Sequence, residues 1–91
     1  MKVWMQPIEM IAFFDVTGKP RPLRYRWKSP LDHGDHELRV IKIDRVIECR
    51  EEKLVGNRMM VYRCQSVIDD LEKVYELKYE FNTCKWYLYK M

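Results

Sequence analysis

The sequence is poor in residues that break or bend a chain, with three glycines and four prolines, and all of the prolines lie in the first third. No internal repeat, low-complexity tract or linker interrupts it. No apolar run approaches the roughly 20 residues a membrane helix needs, which excludes a helical span. Pro7 and Glu9 break the N-terminal stretch too early for a signal-peptide core, so a cytoplasmic, non-exported protein is expected. The three cysteines, Cys49, Cys64 and Cys84, are widely spaced and contain no Cys-x-x-Cys. That pattern argues against a disulfide framework and against a paired zinc site, and favours inert thiols packed among inward residues.

Catalytic signatures are missing as well. Both histidines fall in one loop, no serine sits in an elbow motif, and no glycine-rich phosphate loop occurs. The acidic pairs Glu51-Glu52 and Asp69-Asp70 fall at expected strand ends and turns, where charges are routine. No enzyme and no cofactor is expected. The segment Asp32, His33, Gly34, Asp35 and His36 has atom types that ligate metals, but no second ligand pair stands at a fixed spacing. An ordinary polar loop is the better reading of residues 29–36, and no metal site is assigned.

What the chain does have is enough for one core: 47% apolar and 34% charged residues in a length of 91. Residues 1–91 therefore read as a single β domain. Between the turn signals the chain alternates with period two, the strand signature. A first run covers residues 8–15, closed by Thr17-Gly18-Lys19-Pro20, and both of its faces carry apolar residues, as in a central or covered strand. In the next run Leu23, Tyr25 and Trp27 point inward while Arg24, Arg26 and Lys28 point outward. Residues 37–53 are strand-like, but their apolar parity changes between Val40 and Ile41 and near Asp44-Arg45, which predicts a bulge or bend.

The C-terminal half fixes its own register. A two-residue turn at Asn82-Thr83 sets Phe81 against Cys84, Tyr79 against Trp86 and Leu77 against Leu88 on one side. On the other side Glu80 meets Lys85, Lys78 meets Tyr87 and Glu76 meets Tyr89. A turn at Asp69-Asp70 sets Ile68 against Leu71, Cys64 against Tyr75, Tyr62 against Leu77 and Met60 against Tyr79, with Arg63 meeting Glu76 outside. A turn at Gly56-Asn57 sets Cys49 opposite Cys64, and leaves open whether the two bond. Residues 66–78 also fit a helix capped by Ser66, against which stand their β-branched and aromatic bias and the alternation from Tyr75 to Phe81. The expected architecture is all-β: a six-stranded antiparallel meander curled into a small open barrel.

Two surfaces stand out as candidate sites. Residues 19–28 hold five basic residues and no acidic one. Alternate residues on a strand lie about 7 Å apart, near the spacing of successive phosphates, so Arg24, Arg26 and Lys28, with Arg21 leading in, form a candidate nucleic-acid stripe. A solvated outer face explains the same pattern. The outer side of the last strands, with Met59, Val61, Arg63, Lys78, Tyr87 and Tyr89, has the composition of a protein interface. Tyrosines lying over lysine and arginine stems are also common on ordinary sheets. The leading expectation is a non-catalytic binding module that meets a protein partner or itself through that sheet face. A nucleic-acid-binding β domain is the alternative, and no membrane partner is expected.

The motif Gly18-Lys19-Pro20-Arg21-Pro22-Leu23-Arg24-Tyr25-Arg26-Trp27, following Phe14-Asp15, resembles the opening of a family of small uncharacterised bacterial β-domain proteins. The closing Tyr75-Glu76-Leu77-Lys78-Tyr79 and Trp86-Tyr87-Leu88 resemble that family's final hairpin. The resemblance covers both ends, about half the chain, and residues 29–36 depart from it as an apparent insertion. It implies no established activity. Relatives encoded near lesion-bypass DNA polymerases make it lean toward nucleic acid.

Overall fold

The computed structural model describes residues 1–27 and 39–91. These contain seven strands and no helix: β1 (Val3–Phe14), β2 (Pro20–Trp27), β3 (Arg39–Lys42), β4 (Arg45–Leu54), β5 (Asn57–Ile68), β6 (Leu71–Glu80) and β7 (Lys85–Lys90). All pair antiparallel in one sheet of order β3-β2-β1-β7-β6-β5-β4. Every chain neighbour but one is a sheet neighbour, so the sheet is a meander. The first and last strands also meet, and the sheet curls into an open half-barrel. No helix among the described residues is long and apolar enough to cross a membrane.

Seven strands replace the expected six because the long run ending at Lys53 breaks at Ile43 and Asp44. There the chain leaves β2 and joins β5: Ile43 N–H donates to Leu23 C=O at 3.0 Å, and Asp44 N–H donates to Gln65 C=O at 2.9 Å. The parity change near Asp44 marks this bend. The change between Val40 and Ile41 marks none, since β3 runs straight through it with Val40 exposed and Ile41 buried.

The two C-terminal turns place their strands nearly as expected. Asp69 and Asp70, both in the left-handed region at φ 52° and 62°, form the twist-matched turn that hairpins favour, and all five expected β5–β6 pairs occur. Segment 66–78 is therefore strand and turn, not helix. The β6–β7 register is as expected from Glu80↔Lys85 to Leu77↔Leu88, but a bulge then sets Glu76 against Lys90 instead of Tyr89. The turn itself spans residues 81–84, longer than the two residues expected, and closes with Cys84 N–H to Glu80 C=O at 2.9 Å.

The β4–β5 turn is a correction. It is made by Val55 and Gly56, at φ 50° and 77°, one residue earlier than expected. Cys49 consequently faces Tyr62, and Cys64 faces Val46. The cysteines are free; Cys64 is buried, while Cys49, on the inner side opposite Tyr62, and Cys84 are exposed rather than buried.

The core fills the concave side with Tyr25, Trp27, Ile41, Tyr62, Cys64, Tyr75, Leu77, Trp86 and Leu88. Among the described residues the buried Trp27 indole N–H has no hydrogen-bond partner, but other polar atoms of the core are paired. The Tyr62 hydroxyl donates to the Pro20 carbonyl across the interior, and the Ser66 and Tyr75 hydroxyls share a hydrogen bond at 2.6 Å. Burial pushes both the Cys64 thiol and the Tyr75 hydroxyl up to about 12, because the interior disfavours their charged forms.

Candidate functional site

Strand β2 does not alternate throughout. Ile11 of β1 pairs with Arg24 and Ala12 with Pro22, so Leu23 is the extra residue of a bulge. A bulge flips the parity of everything beyond it. Pro20 and Pro22 turn inward and are buried, whereas Leu23, expected inward, is exposed. Arg21 is three residues from Arg24, an odd spacing that would put it on the opposite face of a regular strand. The bulge carries it to the outer face beside Arg24 and Arg26.

The pairing of β1, β2 and β3 then lays out a grid. Three rows run across the strands: Phe13 and Arg21; Ile11, Arg24 and Lys42; Glu9, Arg26 and Val40. Among these residues the only ion pair is Arg26 with Glu9. Arg21, Arg24 and Lys42 have no carboxylate within salt-bridge distance among the described residues. Exposed apolar side chains flank the β2 cations: Ile11 at 60% and Phe13 at 58% of their full surface on β1, and Val40 at 61% on β3. Ile11, Arg24, Arg26 and Val40 ring a shallow depression of about 440 Å³. Lys28 of the expected stripe, and the whole Asp32–His36 stretch, lie outside the described residues. Lys42 and Phe13 were not assigned to the stripe from sequence, and only strand pairing brings them to it.

The second candidate face is built differently from expectation. Val61 is completely buried, and Met59 and Lys78 are each 6% exposed, so this is no exposed apolar patch. Val61 lies between Arg50 and Lys78 on the neighbouring strands. Lys78 donates to Glu52 at 2.8 Å and sits 3.8 Å from the centre of the Tyr89 ring. Glu76, buried in the next row, stands 3.9 Å from Arg50 and 3.8 Å from Arg63. Stems of charged residues roof the apolar ones, and their charges neutralise one another. Of the six residues expected to form this interface, Arg63, Tyr87 and Tyr89 keep partial exposure.

Among the described residues no three His, Cys, Asp or Glu side chains converge as a metal site would require. Most of the groups whose acidity is shifted lie in turns, at strand ends or in the core. Asp15, for example, is held below the usual carboxylate range by hydrogen bonds from Thr17 and Lys19, which fold the β1–β2 turn. No protein-family model, curated protein or solved structure matches the chain.

Proposed function

We propose that this chain is a non-catalytic binding module whose β1–β2–β3 outer face holds a single-stranded nucleic acid. The observation that carries the reading is the grid itself: among the described residues Arg21, Arg24 and Lys42 have no acidic partner, and the exposed Phe13 and Ile11 of β1 flank Arg21 and Arg24. Free cations spaced along strands meet successive phosphates, and an exposed aromatic ring offers a base a stacking platform without reading sequence. The face of β5–β7, the leading candidate from sequence, supports a protein-docking role less well, because Met59 and Val61 have almost no surface to offer.

Fluorescence anisotropy of a labelled pyrimidine strand of about a dozen nucleotides tests this. Three phosphate contacts weaken single-strand binding about twentyfold between 50 and 200 mM salt. Arg21→Ala/Arg24→Ala leaves one contact, and the salt dependence flattens accordingly. Absence of salt-sensitive binding at about 10 µM protein would discard the reading.

A further inference from the structure

β1 is twelve residues long, yet its two sides are not equally covered. On one side it pairs with β2 as far as Phe14. On the other its pairing with β7 stops at Ile8↔Trp86. Over residues 9–14 the main chain on the β7 side has no strand partner among the described residues.

A cavity of about 890 Å³ lies there, lined by residues 6–10 of β1 and 84–87 at the start of β7. Successive residues of a strand point to opposite faces. A cavity lined by five in a row therefore runs along the strand's edge, in the plane of the sheet, and is a slot between strands. Its inner wall is apolar and aromatic: Met10, Ala12, Phe14, Tyr79 and Trp86, with the Phe14 and Tyr79 rings edge to face at 6.1 Å.

The other open edges of the sheet are guarded. The start of β2, which β3 does not cover, carries Pro20 and Pro22, which have no N–H to donate. β3 carries Arg39 and Lys42, and β4 carries six charged residues in ten. Such devices keep foreign strands off an edge. The stretch Glu-Met-Ile-Ala-Phe-Phe at residues 9–14 has none beyond Glu9, and Glu9 is paired with Arg26. An unguarded edge beside an open slot is complementary to the main chain of another extended segment.

We infer that the slot accepts an extended peptide of a partner protein. The peptide adds as a strand to residues 9–14 and turns alternate apolar side chains toward Met10, Phe14, Tyr79 and Trp86. Lys85 stands at the rim opposite Glu80, without an ion pair at contact distance, and an acidic residue at that end of the peptide meets its ammonium. The inference does not depend on nucleic-acid binding.

The test is an amide-resolved NMR titration of the intact chain with a capped heptapeptide alternating valine and threonine and ending in glutamate. In the free protein, alternate amides of residues 9–14 exchange rapidly while those of the β1 stretch paired to β7 are protected. Saturating peptide slows exchange at the former by about tenfold or more and moves resonances of residues 8–14 and 84–87. The same peptide, N-methylated at alternate positions, loses at least about tenfold in affinity because its donors are gone. Arg21→Ala/Arg24→Ala leaves peptide binding unchanged, which separates this site from the nucleic-acid face. Three results would each overturn the inference. They are no shift at about millimolar peptide, equal binding of the N-methylated peptide, or a slot already protected in the free protein by a second copy.

Discussion

The outer face of β4–β7 and the outer face of β1–β3 are made from the same kinds of residue and end in opposite states. On β4–β7 the central cations are answered by acids: Lys78 by Glu52, Arg50 and Arg63 by Glu76. The stems close over Val61 and Met59 and bury them. On β1–β3, among the described residues, one acid, Glu9, stands on a face with four cations, and Ile11, Phe13 and Val40 are left open. Charge composition is nearly balanced over the whole chain, at 17 basic and 14 acidic residues. The difference is therefore one of placement: ion pairs cover the first face, whereas among the described residues the second leaves cations and apolar side chains open.

The largest expected effect tests the closed face. Glu52→Ala strands the buried Lys78 ammonium and lowers the unfolding free energy by about 2–3 kcal/mol. Lys78→Met, which removes the charge but keeps the stem, changes it by less than about 1 kcal/mol. Urea unfolding measures both. If the two substitutions cost the same, the pair does not hold the face together.

The open face answers in affinity. Lys42→Glu places a carboxylate beside Arg24 and copies the arrangement of β4–β7. Stability changes by no more than about 0.5 kcal/mol, while oligonucleotide affinity falls about tenfold through loss of one cation and neutralisation of another. A variant that binds as well as the parent would show that the lack of acids on this face is incidental.

Stability against pH separates core from surface. Asp15, Glu51 and Glu80 are held low by hydrogen bonds from Thr17, Arg58 and Thr83 respectively. Their contribution is complete above the ordinary carboxylate values and is lost as pH falls through the lowered ones. Cys64 and Tyr75 run the other way. With both raised to about 12, the interior is undisturbed below their ordinary values of 9.0 and 10.0 and loses stability as pH climbs toward 12. Urea midpoints across the pH range should form a plateau with both shoulders. Cys64 should resist alkylation until unfolding, while Cys49 and Cys84 react in the folded protein.

The smallest effect concerns neither face and serves as a control. Val55 is a β-branched residue at φ 50°, where asparagine is better tolerated. Val55→Asn should raise stability by about 1 kcal/mol and leave binding untouched.

Much of the fold is legible in the sequence because local rules suffice for hairpins. The Asp69-Asp70 turn and the alternation on either side admit one register that buries Tyr62, Cys64, Tyr75 and Leu77 together. The Val55-Gly56 turn was misread by one residue, since a valine in the left-handed region runs against local preference. The bulge at Leu23 left no mark, because a leucine there fits the inward pattern equally well. The candidate site was half visible: Arg24 and Arg26 from alternation, but not Phe13 or Lys42, whose membership depends on which strands lie side by side.

By itself, then, the sequence determined the all-β class, the hairpin registers of β5–β7 and the existence of a basic stripe, all properties of neighbouring residues and period-two geometry. Tertiary structure decided which apolar side chains stay exposed, which cations find acids, and which distant strands of the sheet meet. Those outcomes depend on contacts between residues far apart in the chain. Burial of Val61 requires Arg50 and Lys78 from two other strands, and the slot beside β1 exists only because β7 reaches Ile8 and stops.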